Sequence, residues 1–208
     1  MFKALIFALI LALPVSGLTV LGMHLLGGAP NPCETKWVGE IDYSFAKQVR
    51  EDIKKAEEYN CKKLTATLYS PGGSVIQGLD VVSAIRGAKK RGMTIAIRGE
   101  TLVASMAVDV IAAGSKGERV IEKRTIVLIH PMTRGSMFSA PVCVTYVPNP
   151  TDEDQAITNV MVMTMAQDLA ESSGKPVKEV LKWFECGKWI TGNGNELVKL
   201  GLVDRLED

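Results

Sequence analysis

Ser105 and His130, which lie 25 residues apart, are the two side chains of this sequence whose types and spacing suggest chemistry. Ser105 lies among small residues in the run Val-Ala-Ser-Met-Ala, where a helix is predicted to begin, and His130 directly follows the strand-like run Ile-Val-Leu-Ile. A histidine at a strand end, next to a loop, can take the proton of a serine hydroxyl and make it nucleophilic. The pair therefore indicates acyl transfer, although a serine at a helix start is more often a plain cap and the histidine could instead be structural.

The turn Ser-Pro-Gly-Gly-Ser at residues 70–74 falls between a predicted strand and a predicted helix. Consecutive glycines adopt backbone angles that other residues avoid, and they leave amide N–H groups free to point into a cleft. Such amides could hold a developing oxyanion, as could the unpaired N–H groups at the helix start beside Ser105. On its own, a turn of this kind is also a common strand-to-helix connection.

The elements that would position these residues alternate between β-rich runs and helical periodicities, which predicts one α/β domain with a parallel, crossover-connected sheet. A long helix is predicted near Thr151, which would cap it with Asp154 in the first turn. Its methionines Met161 and Met165 are interpreted as core or interface packing. The predicted strands cover residues 37–41, 64–69, 94–98, 119–121, 125–129 and 142–147, and the other helices begin near residues 44, 75 and 105.

The charge of the 208-residue chain is close to balanced, with 24 basic and 23 acidic side chains. Since no basic stripe is present, we expect no nucleic-acid partner. The four cysteines, Cys33, Cys61, Cys143 and Cys186, lack the spacing of a metal site, and no metal is expected. Two disulfides or four thiols would both fit, and we predict free thiols or one disulfide between a pair that the sequence does not identify.

Residues 4–28 carry no formal charge and follow Lys3, so this segment is predicted to meet a membrane. It has the features of a cleaved signal peptide and, equally, those of a retained transmembrane anchor. Because Lys3 favours the cytoplasmic side, we expect the catalytic domain outside the cytoplasm, either membrane-anchored or secreted or periplasmic. The prediction is a signal or anchor at residues 1–28, a linker at 29–36 and a catalytic domain at 37–208.

Several short motifs follow one another along the chain, and their order is more specific than any one of them. They are Val-Gly-Glu-Ile, Ser-Pro-Gly-Gly, Ala-Ser-Met-Ala with a following Ala-Ala-Gly-Ser-Lys-Gly, Ile-His-Pro, and a closing Gly-Leu-Val-Asp. In order and spacing the chain resembles the Clp protease proteolytic subunit, from about Trp37 to the C-terminus. The resemblance implies a ClpP/crotonase-like α/β fold, which is a repeated ββα superhelical core with a protruding handle helix, here the helix from Thr151.

The same resemblance implies a serine peptidase without a cofactor. Ser105 would be the nucleophile, His130 the general base, and the amides of Gly73 and Met106 the oxyanion hole. The implied partners are a peptide or protein substrate and further copies of the chain in a homo-oligomeric ring; whether an ATP-driven unfoldase serves it is open. The residues implied in binding an extended peptide are Gly72, Ser74, Val75, Pro131 and Met132.

The acidic third member of the family's triad, which orients the histidine, has no counterpart at the expected position, because a gapless match places Gly187 there. The chain could still act as a Ser/His dyad, with the histidine held by a backbone carbonyl or a water. The carboxylates that could replace the missing acid are Glu185, Asp152, Asp154 and Asp168.

Two insertions also depart from the family pattern. Two extra residues separate Gly99 from Ser105, and a longer stretch between His130 and the handle helix is expected to alter the substrate groove or the ring contacts. The N-terminal segment is similar to that of membrane-anchored signal peptide peptidases, which use a Ser/Lys dyad. In such a dyad Lys116 or Lys123 would be the general base in place of His130, and Lys123 is the fallback candidate.

Two other functions fit parts of this pattern. An acyl-CoA-handling crotonase relative would share the diglycine oxyanion turn but would not need Ser105 with His130 at this spacing. A catalytically weak or inactive, membrane-associated scaffold of the same fold is suggested by Gly187.

Overall fold

The computed structural model of this chain describes residues 31–135 and 141–208. The predicted signal peptide or anchor at residues 1–28 lies outside the described residues, as do the first two residues of the predicted linker. Within the described ranges, no helix is both long and apolar enough to cross a bilayer. The first strand begins at Glu34, so residues 34–36 belong to the sheet and not to a linker.

The described residues form strands and helices that alternate along the chain, as the sequence predicts. The strands are β1 Glu34–Val38, β2 Lys63–Ser70, β3 Thr94–Ala104, β4 Arg119–Glu122, β5 Ile126–Ile129, β6 Thr133–Arg134, β7 Val142–Cys143, β8 Ile190–Gly192 and β9 Arg205–Glu207. The helices are α1 Tyr43–Glu58, α2 Val75–Lys90, α3 Met106–Ala112, α4 Glu153–Ser173, α5 Val177–Leu181 and α6 Gly194–Lys199, with a 3₁₀ turn at Lys182–Phe184.

The main sheet is mostly parallel, in the order β1-β2-β3-β4-β9. Strand β5 pairs with the second half of β3 in parallel, and β8 adds to β5 in the antiparallel sense. Parallel neighbours require crossover connections, which α1 and α2 provide between β1, β2 and β3. The predicted α/β fold with a parallel sheet is confirmed.

Strand β3 is longer than predicted and divides between two neighbours. Its residues 97–99 pair with β4, and its residues 102–104 pair with β5. Leu68 of β2 pairs with Gly99 of β3, but Ser70, two residues later, pairs with Val103, four residues later. The two extra residues noted in the sequence are therefore absorbed as a bulge, in which Thr101 has a φ of +57°.

Helix α1 illustrates how the core forms from the sequence pattern. The Asp42 carboxylate caps it by accepting a hydrogen bond from the Phe45 amide at 2.8 Å. Phe45, Val49 and Ile53 follow at a spacing of four residues and are buried on one face. This face packs toward the sheet, where Trp37 is fully buried and donates its indole N–H to Asp52 at 3.1 Å.

Two local predictions differ from the structure. The predicted strand at residues 142–147 contains only the two residues of β7, which pair with β6 in a separate antiparallel ladder. Helix α4 is capped by Asp152, not Thr151, because the Asp152 carboxylate accepts the Gln155 amide at 2.7 Å. Aspartate and threonine are both good helix caps, so the sequence pattern did not distinguish Asp152 from the neighbouring Thr151.

The prediction of free thiols or a single disulfide is wrong, because all four cysteines are paired. Cys33 joins Cys61, and Cys143 joins Cys186. The first bridge ties the start of β1 to the connection between α1 and β2. The second ties β7 to the segment that precedes β8.

Candidate active site

The carboxyl ends of three parallel strands bring the predicted site residues together. Ala104, at the end of β3, lies opposite Leu128 of β5, so Ser105 and His130 leave adjacent strands one and two residues later. Neighbouring strands lie about 4.8 Å apart. On the other side, Ser70 of β2 lies opposite Val103, which places the diglycine turn beside Ser105.

Ser105 has an unusual backbone conformation, with φ +53° and ψ −129°. Its amide donates to the Leu128 carbonyl at 2.7 Å, and its side chain makes no capping hydrogen bond to α3. The position is also crowded: a Cβ placed on Gly72 would lie 2.5 Å from the Ser105 Cβ. A strained, non-capping serine held against a glycine turn indicates a positioned hydroxyl and not a helix cap.

Two backbone amides beside Ser105 have no acceptor among the described residues. Met106 is the first residue of α3, so its N–H has no intrahelical partner. The backbone groups on either side of the Gly73 amide are hydrogen-bonded to Ile41. The Gly72 carbonyl accepts from the Ile41 amide, and the Ser74 amide donates to the Ile41 carbonyl. The Gly73 N–H itself is left unpaired between them and lines the cleft.

The ring of His130 is held from two sides. Its Nδ1 lies 2.7 Å from the Pro131 carbonyl oxygen. Because a carbonyl can only accept, this contact requires the proton on Nδ1 and leaves Nε2 as the unprotonated nitrogen of the neutral ring. Trp189 stacks on the ring, with centroids 5.4 Å apart and an interplanar angle of 23°.

Ser105 and His130 line one cleft with a cavity volume of about 260 Å³. Within the described part of the chain, no hydrogen bond of 3.5 Å or less joins the Ser105 hydroxyl to the imidazole; in empty sites such contacts are commonly long. Of the residues implied in peptide binding, Ser74, Val75 and Met132 line the cleft. Gly72 and Pro131 do not, since Gly72 packs behind Ser105 and Pro131 contacts the histidine.

None of the carboxylates proposed as a third triad member is hydrogen-bonded to His130 among the described residues. Asp152 caps α4, Asp154 pairs with Arg134, and Asp168 pairs with Arg86. Glu185 is exposed and makes no hydrogen bond to His130 in the described part of the chain. Gly187 has a φ of +83°, which disfavours a carboxylate side chain there. The Pro131 carbonyl occupies the position at Nδ1 that an acid would otherwise take.

The lysines named as alternative bases lie elsewhere. Lys116 lines a separate basic cavity with Arg86 and Arg119. Lys123 follows β4, where its amide donates to the Glu207 carbonyl, and it does not line the cleft.

Sequence reasoning missed two residues at this site. Asp109 lies one helical turn after Ser105 and lines the cleft. Its position four residues after the serine, on the same helical face, was a signal that could have found it. Trp189 had no comparable signal, because its contact with His130 depends on β8 pairing with β5.

Asp109 is a buried acid of the cleft with a perturbed pKa. It is 3% exposed, and burial raises the pKa of its carboxyl well above the ordinary value, with a further contribution from the negative charge of Asp168. Arg86 lowers this pKa by a smaller amount. The empty cleft therefore favours the neutral carboxyl.

Comparison with known proteins adds the family to this geometry. The model of the Clp protease family matches residues 35–208. The chain belongs to the Clp protease family. The match includes every residue discussed in the cleft and excludes the first 34 residues.

Individual Clp relatives are distant. The ATP-dependent Clp protease proteolytic subunit of Streptococcus mutans is 26% identical over 151 residues, covering 71% of this chain and 69% of the relative. The subunit of the same description from Streptococcus sanguinis is 27% identical over the same shares. A solved structure, the ClpP protease catalytic domain from Plasmodium falciparum, is similar with a TM-score of 0.67 and 19% identity, covering 84% of each chain. This likeness shows the fold.

Proposed function

We propose that the chain is a serine endopeptidase that cleaves peptide bonds through an acyl-enzyme on Ser105. One observation carries the proposal: Ser105, in a strained conformation, shares a single cleft with His130 and with two amides that lack an acceptor among the described residues. Membership of the Clp protease family supports the same reaction class. The names of the streptococcal relatives, proteolytic subunits of an ATP-dependent protease, agree with it.

In the proposed reaction the Ser105 oxygen attacks the scissile carbonyl carbon while its proton moves to Nε2 of His130. The carbonyl oxygen becomes an oxyanion, which accepts hydrogen bonds from the Gly73 and Met106 amides. When the C–N bond breaks, the imidazolium gives that proton to the leaving amine. Water then enters, loses a proton to Nε2, and hydrolyses the ester, which returns the proton to Ser105.

The Pro131 carbonyl fixes the tautomer that this reaction needs, but it carries only a partial charge. A carboxylate at the same position would stabilise the imidazolium more strongly. We therefore expect the dyad to work more slowly than a complete triad. Stacking of Trp189 on the ring supplies part of the missing orientation.

Covalent labelling tests the nucleophile directly. A fluorophosphonate probe should label the wild-type protein at Ser105, and Ser105→Ala should lose the label. Ser74→Ala is the matched control, because Ser74 lines the same cleft and caps α2, and it should still be labelled. Equal labelling of Ser105→Ala would refute the proposal.

Two outcomes of this test would favour the other functions. Binding of an acyl-CoA thioester by a protein that the probe does not label would support the crotonase alternative. A protein that forms rings but neither reacts with the probe nor cleaves short peptides or esters would support the scaffold.

We further propose that the catalytic domain works outside the cytoplasm, with the N-terminal segment as its signal or membrane anchor. Two disulfides among the described residues support an oxidising compartment. Protein isolated from cells with thiols blocked by a maleimide should carry no label at the four cysteines. Full labelling would place the domain in a reducing compartment.

A homo-oligomeric ring is proposed as the assembled state, with a peptide or protein as substrate. The exposed apolar side chains of Ile157 and Val160 on α4, 50% and 67% exposed, support an interface along this helix. Sedimentation should give a discrete oligomer, and Val160→Lys should shift it towards smaller species. A wild-type monomer at all concentrations would refute the ring.

A further inference from the structure

Asp109 is a buried acid that the proposed reaction does not use. Its side chain lies on α3 one turn beyond Ser105 and forms part of the cleft wall. The residue is 3% exposed, and its Oδ1 has no hydrogen-bond partner among the described residues. A buried, unpaired oxygen destabilises a fold, so such groups usually have a functional explanation.

Asp168, the other buried acid of the described chain, is paired, which sets Asp109 apart. It pairs with Arg86, and the partly buried Asp204 pairs with Arg119. Both arginines are engaged by these partners, and no cation of the protein is hydrogen-bonded to Asp109 in the described ranges. The partner that Asp109 lacks would have to enter through the cleft.

Part of the cleft lining is apolar and adaptable. Met106, Met161, Met165 and Phe184 are among the residues that line the cleft together with Asp109. Methionine side chains are unbranched and can shift to admit a ligand that reaches the carboxyl. A wall with apolar sides and one acid matches a side chain with an aliphatic stem and a cationic head, which is the build of lysine and arginine.

We propose that Asp109 makes this cleft a specificity pocket for a basic side chain, the lysine or arginine that precedes the cleaved bond. The inference rests on the proposed function, because it assigns the pocket next to Ser105 to a peptide substrate. Asp109 is a specificity residue in this scheme and takes no part in the bond-breaking steps.

The charges around Asp109 fit this assignment. Burial and Asp168, which faces it from α4, raise its pKa, while Arg86 on α2 opposes this effect. Burial in the cleft therefore favours the neutral carboxyl over the carboxylate. An entering ammonium or guanidinium supplies the countercharge that favours the carboxylate, and the carboxyl proton leaves to solvent as the pair forms.

Peptide binding to the Ser105→Ala protein tests the pocket without requiring turnover. Two peptides are compared by calorimetry: one with lysine before the scissile bond and one with norleucine, which has the same aliphatic stem without the ammonium. We expect the lysine peptide to bind at least tenfold more tightly. A ratio near one, or a preference for norleucine, would overturn the proposal.

The Asp109→Asn change in the same Ser105→Ala background shows whether Asp109 causes the preference. It keeps the shape of the side chain and removes its charge, so the ratio should fall to within twofold of one. The control is Asp154→Asn, which removes an exposed acid that pairs with Arg134 and does not line the cleft, and it should keep the preference. A lysine preference that survives Asp109→Asn would overturn the assignment.

Failure of this inference is distinguishable from failure of the proposed function. Probe labelling of Ser105 with equal binding of the two peptides would refute the basic pocket and leave the peptidase intact. A lysine preference in a protein that the probe never labels would keep the pocket and refute the acyl-enzyme.

Discussion

The disulfide between Cys143 and Cys186 joins the two segments that hold the ring of His130. Cys143 lies in β7, which pairs with β6 directly after the histidine, and Cys186 lies three residues before Trp189. Without the bridge, the segment that carries Trp189 can move away from the segment that carries Pro131. We predict that the double variant Cys143→Ser/Cys186→Ser loses catalytic efficiency as well as stability.

The other disulfide provides a matched control, since Cys33–Cys61 lies at the start of β1 and none of its residues lines the cleft. The separations of 43 and 28 residues correspond to about 4.0 and 3.6 kcal/mol of unfolded-state entropy in the chain-closure model. The two double variants should therefore lose similar free energies of unfolding. Only the Cys143/Cys186 variant should also lose function.

Urea unfolding and the rate of fluorophosphonate labelling at Ser105 separate these two effects. Under conditions where both variants are folded, we expect labelling to slow by about tenfold or more for Cys143→Ser/Cys186→Ser, because small displacements of a catalytic group are costly. The Cys33→Ser/Cys61→Ser variant should stay within about twofold of wild type by the same reasoning. Equal rates in the two variants would refute the argument that this bridge positions His130.

Three further predictions concern single residues. Gly72→Ala should abolish probe labelling, because the added Cβ would lie 2.5 Å from the Ser105 Cβ and 2.7 Å from the Ala104 carbonyl oxygen. Ser105→Gly should unfold with a free energy about 1–2 kcal/mol higher than Ser105→Ala, since glycine accepts a φ of +53° without strain. Asp204→Asn should lower the free energy of unfolding by about 3–5 kcal/mol at neutral pH, because it leaves the buried Arg119 without its counter-ion. Burial alone would raise the pKa of Asp204, but hydrogen bonds from Arg119 outweigh it and hold the pKa below the ordinary value. The pair therefore stabilises the fold above the unfolded-state pKa and loses this contribution as the pH falls through the folded-state pKa, as urea titrations at several pH values should show.

Matched variants check these three predictions. Gly174→Ala has a similar positive φ but open space around the new Cβ, so it should lose stability and keep the label. Labelling of Gly72→Ala at the wild-type rate would contradict the packing argument, and equal stabilities of the glycine and alanine variants of Ser105 would contradict the strain argument. Asp154→Asn breaks an exposed pair and should change the free energy of unfolding by less than about 1 kcal/mol.

The elements of this protein could be predicted from local sequence because their signals are local. Phe45, Val49 and Ile53 mark the buried face of α1 by spacing alone, and the diglycine turn marks the end of β2. Predictions failed where two local solutions were nearly equal, as with Thr151 and Asp152 at the start of α4. The disulfide pairs were beyond the sequence, because the distance between two cysteines depends on sheet register.

The sequence by itself predicted the nucleophile and base that the proposed reaction uses, since Ser105 and His130 lie in motifs whose order indicates their family. It also showed that an acid is missing where Gly187 stands. Only the tertiary structure shows what lies at Nδ1 in place of that acid. The contact of His130 with the Pro131 carbonyl depends on the rotamer of the histidine side chain, which packing in the folded protein sets. The stacking of Trp189 depends in turn on the antiparallel addition of β8 to β5. Such contacts join segments far apart in sequence, so no local pattern records them.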